Sequence, residues 1–129
     1  HLLVKSQSEH QKAKDWILKN KDLLATTGTN IAEVLRLLTH PRVFQKPLSL
    51  QAAIHLVRHF VEEFKVAVLE ESEGWWLDLE DLLKIIPTLR GNEIFDARIA
   101  LCFRHHGIRE ICTLDTDFLK YPFLKIVSI

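Results

Sequence analysis

The chain has 129 residues, with 17 Lys+Arg against 17 Asp+Glu and a formal net charge of +0, and its sequence pI is about 7.2. That size suits one domain with a single hydrophobic core, and the charge balance excludes a global positive field, so any contact with nucleic acid must rest on a local patch. No apolar run approaches the roughly 20 residues of a membrane helix, and no charged-apolar-small leader pattern opens the chain, so the expectation is a soluble, cytoplasmic protein with no membrane contact.

From about Gln7 to Lys19, Ala13, Lys14, Ile17 and Leu18 follow a helical period with Trp16 near the end. Leu23-Leu24-Ala25-Thr26-Thr27 is a short apolar strand. The next helix is predicted from about Asn30 to His40, with Ile31, Val34, Leu35 and Leu38 on one stripe, Thr29 as N-cap and Pro41 as stop. Glu33 lies beside that stripe. A proline-bracketed loop follows, and Ser49 caps a helix through about Phe64 whose apolar face includes Ala53, Leu56, Val57 and Phe60. Lys65-Val66-Ala67-Val68-Leu69 is a second strand without polar alternation, as strands covered on both faces tend to be.

After the acidic turn Glu70-Glu71-Ser72-Glu73-Gly74 come Trp75-Trp76 and a helix to about Ile86. An adjacent Trp pair reads first as one core and one boundary residue, and second as an interface anchor. Beyond Pro87 and Gly91, a helix opens at Asn92-Glu93-Ile94-Phe95-Asp96. There Asp96, Ile99, Ala100 and Phe103 fall at i, i+3, i+4 and i+7, which puts an acid on the apolar face. His105 and His106 close that helix before Gly107, where cationic side chains suit the macrodipole and glycine suits the C′ position. Glu110-Ile111-Cys112-Thr113-Leu114 is a strand that runs out into Asp115 and Asp117, and Leu124-Lys125-Ile126-Val127 is the last.

Strands separated by one or two helices predict an α/β fold, a sandwich with a mainly parallel central sheet, in which ligands bind beyond the carboxyl ends of the strands. With 4 Gly in the chain there is neither G-x-G-x-x-G nor a P-loop, so dinucleotide and nucleoside-triphosphate binding are not expected. Cys102 and Cys112 lack C-x-x-C spacing and read as buried thiols in a reducing compartment. His55, His59 and Glu62 share a helix face and could in principle hold zinc, but a solvated helix surface is the preferred reading.

Glu33, Asp96, Asp115 and Asp117 remain. They offer oxygen ligands only, which suits hard cations such as Mg²⁺ or Mn²⁺. Each has an ordinary alternative: Asp96 at a helix start, Glu33 paired with Arg36 at i+3, Asp115 and Asp117 as turn residues. Their joint placement after three separate strands points instead to metal-assisted attack on a phosphodiester. Arg36, Arg42, Lys46, Arg98 and Arg104 are the cations that could offset the acids' repulsion of phosphate, although a solvated charged face is the ordinary reading for most of them.

Three ordered motifs, Thr29-Asn30-Ile31-Ala32-Glu33-Val34, Asp96-Ala97-x-Ile99-Ala100 and the T-x-D-x-D-F of Thr113 to Phe118, resemble those of the PIN-domain ribonucleases, and within them the VapC-like toxins of bacterial toxin-antitoxin pairs. The resemblance covers nearly the whole chain and implies a three-layer α/β sandwich acting as a Mg²⁺- or Mn²⁺-dependent endoribonuclease. It further implies Glu33, Asp96 and Asp115 as metal ligands, Asp117 assisting, and Thr113 orienting a carboxylate or a water. Arg36 and Arg98 would then contact the RNA substrate. By the same resemblance the partners are a cognate antitoxin protein and a second copy of the chain. The family opens with an apolar strand ending in Asp, whereas here no Asp precedes Asp15. The single domain over 1–129 is therefore expected to lack its first strand and first acid, and the chain as written to be impaired. A silent PIN-like module that binds RNA or protein, and an RNA-processing nuclease without an antitoxin, are the rival expectations.

Overall fold

The computed structural model describes residues 7–19, 24–113 and 116–127. The chain forms α1 (Gln7–Lys19), β1 (Ala25–Thr27), α2 (Gly28–Thr39), α3 (Leu50–Glu63), β2 (Ala67–Leu69), α4 (Trp75–Ile85), α5 (Glu93–His105), β3 (Glu110–Cys112), a 3₁₀ helix (Thr116–Lys120) and β4 (Lys125–Val127). Among the described residues the strands form two two-stranded ladders, β1 with β2 and β3 with β4. This is the α/β class expected from the sequence. The molecule divides into two compact units, residues 1–68 and 69–129.

In the first unit the Ala67 N–H donates to the Leu24 carbonyl at 3.0 Å, joining β2 to β1. Helix α2 starts earlier than the sequence predicts. Its N-cap is Thr27, not Thr29, because the buried Thr27 hydroxyl accepts the Asn30 N–H at 3.2 Å and Gly28 is free to enter the first turn. Ser49 caps α3 as expected, accepting from the Ala52 N–H at 3.1 Å. Helices α2 and α3 pack together, and Leu38 and Ala53 are buried. Strand β2 departs from the expectation of cover on both faces: Val68 is 48% exposed, since an unbroken apolar run does not by itself say how many layers flank a strand.

The second unit is built around α5. Ala97, Ile99, Ala100, Leu101, Cys102 and Phe103 are all buried, so the helix is apolar on more than the single stripe read from Asp96, Ile99, Ala100 and Phe103. Such a helix belongs inside its unit. Here it packs on α4 and shares one apolar cluster with Leu82, Ile111, Phe118, Tyr121 and Leu124. Gly107 ends it with φ 73. The Ile108 N–H donates to the Phe103 carbonyl at 2.8 Å and the Gly107 N–H to that of Arg104 at 3.1 Å, the paired bonds of a Schellman stop. Only glycine enters that backbone region without a steric cost.

Strands β3 and β4 are parallel, with Glu110 opposite Lys125, Ile111 opposite Ile126 and Cys112 opposite Val127. Parallel neighbours need a crossover of a dozen or so residues, and residues 113–124 supply it through the 3₁₀ helix. The carboxyl end of β3 thus leads into Thr113 and, two and three residues beyond the undescribed pair 114–115, into Asp117 and Phe118.

Candidate functional site

Asp96 sits in the first turn of α5, where an acid is favoured by the helix dipole, and it is half-buried. Ala97, Ile99 and Ala100, all buried, fix the roll of the helix beneath it. Glu93 opens the same turn. One of its carboxylate oxygens accepts the Arg90 N–H at 3.3 Å and lies 3.7 Å from the Lys120 ammonium. That ion pair ties the start of α5 to the end of the 3₁₀ helix.

Thr113 is half-buried as the chain leaves β3. Asp115 lies outside the described residues. Asp117 stands in the first turn of the 3₁₀ helix and is exposed, and the next residue, Phe118, is buried and pins the turn to the core. Tyr121 follows, with its N–H donating to the Phe118 carbonyl at 3.2 Å. The side chain of Tyr121 is 0% exposed, and its hydroxyl has no hydrogen-bond partner among the described residues. Leaving a buried hydroxyl unpaired costs about 1–3 kcal/mol. Burial first, then the negative charges of Asp96, Glu93 and Asp117, push the phenol up to about 12. One buried phenol therefore feels both the acids at the head of α5 and the acid of the 3₁₀ turn.

This pKa carries a pH prediction. Because the folded value lies above the ordinary 10.0, the contribution of neutral Tyr121 to stability is complete below pH 10.0. It is lost as pH climbs toward about 12, since the unfolded chain releases the proton first. The full effect is about 2–3 kcal/mol. The chain has 1 Tyr, so phenolate absorbance reports this group alone. Its titration is expected to stay incomplete until the fold gives way, and a phenol that ionises at its ordinary value in the folded protein would refute the burial effect.

Two cations singled out in the sequence have different fates. Arg36 is exposed at the end of α2. Arg98 is engaged within the second unit: its Nε donates to Glu71 at 3.1 Å and a terminal nitrogen donates to the other Glu71 oxygen at 2.5 Å. Its guanidinium also lies 4.4 Å from the centre of the Trp75 ring. Fork pairing and stacking of this kind suit arginine and not lysine. Trp75 is half-buried beneath it, whereas Trp76 is 59% exposed.

In the first unit, Glu33 is half-buried on α2, six residues beyond the Thr27 cap. His59 pairs with Glu63 at 3.0 Å on the solvent side of α3, in keeping with a solvated helix surface there. Among the described residues no group of three or more His, Cys, Asp or Glu side chains is gathered closely enough to hold a metal, and Asp115 is not one of those residues. The acids Asp96 and Asp117 offer oxygens only, a donor type that suits a hard divalent cation and not a thiophilic one.

Sequence reasoning missed Glu93 and Tyr121. Glu93 was visible as an acid three residues before Asp96 and so on the same face of the turn. Tyr121 was visible as a lone phenol four residues after Asp117 in an otherwise apolar stretch. Such a residue must either reach water or find a partner.

The family model described as PIN domain matches residues 1–124. Ribonuclease VapC48 of Mycobacterium tuberculosis is 28% identical over 129 residues, spanning 98% of this chain and 88% of that protein. Ribonuclease VapC24 of the same organism is 32% identical over 101 residues, spanning 74% of this chain and 66% of that protein.

Proposed function

The chain belongs to the PIN-domain family, and from that premise we propose that it is a metal-dependent endoribonuclease that hydrolyses RNA phosphodiester bonds as the toxin of a toxin-antitoxin pair. Both relatives are named ribonucleases. What carries the reading is the match of the PIN-domain family model to residues 1–124, supported by Asp96, half-buried in the first turn of α5, and Asp117, in the 3₁₀ turn of the same unit, as oxygen ligands that suit a hard cation.

In this reading Asp96, Asp115 and Asp117 hold Mg²⁺ or Mn²⁺, and Thr113 orients one of them. Glu33 joins the ligand set on its sequence motif alone. When bound, the cation supplies Lewis acidity toward the attacked phosphate and the attacking water. Asp96 sets the position of the charge, held by the buried turn of α5 beneath it. Arg36 meets the phosphate backbone. Arg98 gives its fork to Glu71 and serves the fold of the second unit. A single domain over 1–129 acts in the cytoplasm, where free thiols such as Cys102 and Cys112 persist. No described helix is long and apolar enough to cross a membrane.

The test is cleavage of single-stranded RNA in Mn²⁺ or Mg²⁺ and in EDTA. Cutting that requires the cation supports the nuclease. A folded protein that binds no metal and cuts nothing, even when an apolar strand ending in Asp is joined ahead of residue 1, replaces it with a binding module.

The partners in this reading are a small antitoxin and a second copy of the chain. Exposed Trp76 is the anchor proposed for the antitoxin, since large aromatics of this kind dominate interface energies. Trp76→Ala is expected to weaken antitoxin binding by about 2 kcal/mol, roughly thirtyfold in Kd, with no change in basal RNA cleavage. An unchanged affinity in a calorimetric titration would discard the contact.

A further inference from the structure

Three exposed cations gather where α5 ends and the ladder of β3 and β4 begins. Arg104 stands in the last turn of α5, Arg109 leads into β3 and Lys125 opens β4. The Lys125 N–H donates to the Arg109 carbonyl at 2.7 Å. The Arg104 guanidinium lies 5.3 Å from the centre of the Phe123 ring, two residues before Lys125. Elsewhere in this unit Lys84 pairs with Asp81, Arg98 with Glu71 and Lys120 with Glu93, and Arg90 is exposed ahead of the other end of α5. Arg104, Arg109 and Lys125 form no ion pair among the described residues. Two acids are at hand: Glu110 stands opposite Lys125 in the ladder, and the carbonyl of Glu70 accepts from the His106 Nε2 at 2.7 Å. Neither pairs with the three cations. Stacking on Phe123 restricts Arg104 while leaving its N–H donors to a ligand. Donors spread over three elements suit a string of phosphates better than one small anion. In a chain of zero net charge, attraction of a polyanion has to come from such a patch.

We infer that Arg104, Arg109 and Lys125 form a second RNA contact, a patch that holds the phosphate backbone of a single strand without reading its bases. The inference rests on the RNA substrate of the nuclease reading above. Arg104 follows Asp96 by eight residues, about 12 Å along the helix axis, beyond the roughly 10 Å over which charges act in 0.1 M salt. The patch therefore adds affinity from outside the carboxylate centre.

The experiment is fluorescence anisotropy of a labelled single-stranded RNA with the full chain in EDTA, repeated over a range of KCl concentrations and with RNAs of different sequence. Each phosphate contact on a single strand contributes about 0.7 to the slope of log K against log salt. The triple variant Arg104→Gln, Arg109→Gln, Lys125→Gln is expected to lose about 2 from that slope and to bind about a hundredfold more weakly in 0.1 M KCl, equally for every sequence. The double variant Arg109→Gln, Lys125→Gln spares the stack on Phe123 and is expected to lose about 1.4, with binding about 25-fold weaker. Lys84→Gln removes one charge from the same unit outside the patch and is expected to bind like the parent. A folded double variant with the parent's slope and affinity overturns the patch, and if the parent cuts RNA with Mn²⁺ the nuclease reading stands. A loss in Lys84→Gln as large as the double variant's assigns the effect to overall charge and also overturns it. Poly-glutamate held more tightly than RNA through the same residues overturns the RNA contact in favour of an acidic protein. If the patch binds RNA as expected while neither the parent nor the chain extended by an apolar strand ending in Asp cuts it with Mn²⁺, the patch stands and the nuclease reading falls.

Discussion

Asp96→Asn is expected to lower Mn²⁺-dependent cleavage of single-stranded RNA by about a thousandfold or more while leaving the fold intact. The substitution conserves volume and removes one negative charge. If that charge holds the cation, the loss falls on stabilisation of the phosphate at the transition state, which is worth several kcal/mol; about 4 kcal/mol corresponds to a factor of about 10³ in rate. The effect on folding is far smaller. Asp96 occupies the first turn of α5, and an acid there gains roughly 0.3–1 kcal/mol from the dipole. Initial rates with cation and with EDTA, paired with circular dichroism, separate the two effects. A folded variant that retains a tenth or more of the parent rate would remove Asp96 from the centre.

Leu82→Ala is expected to destabilise the protein by about 2–5 kcal/mol, the usual range for emptying a filled core position. Leu82 is 0% exposed and belongs to the cluster with Ala97, Ala100, Phe103 and Tyr121. Two of those neighbours are alanines, which cannot swing a side chain into the void, so the upper half of the range is expected. Against a typical total of about 5–15 kcal/mol this is a large share. Leu83, the next residue, is 44% exposed, and Leu83→Ala is expected to cost less than about 1 kcal/mol. Equilibrium denaturation in urea compares them. Equal losses at the two positions would show that α4 does not pack as described.

What the sequence disclosed, and what it did not, follows the range of the forces involved. Ser49 is readable as a cap because its bond reaches only three residues. Gly107 is readable because a stop at φ 73 admits little else. The inward placing of Asp96 follows from helical period, a local property. Thr27 and Thr29 were harder to separate, since either hydroxyl can cap a helix and the choice depended on where β1 ended. Arg98 looked like a solvent cation because its partner, Glu71, lies 27 residues away. Tyr121 escaped notice for a related reason: its burial depends on the apolar residues of α5 that tertiary packing brings to it. The exposure of Val68 was hidden too, because an apolar run records what a strand can bury and not what is laid on it.

Cys102 offers a clock for the motions of the second unit. It is buried in α5, its thiol contacts the Leu69 carbonyl at 3.8 Å, and burial first and the Glu71 charge second push it above its ordinary value. Only an exposed thiolate reacts with an alkylating reagent, so labelling of Cys102 must wait for the helix to open. Cys112, half-buried on β3, has a shorter wait. The rate at which label enters Cys102 therefore measures how often the central helix of the unit lets go. A ligand that binds the closed form alone would slow that rate in proportion to its occupancy, whether or not any RNA is cut.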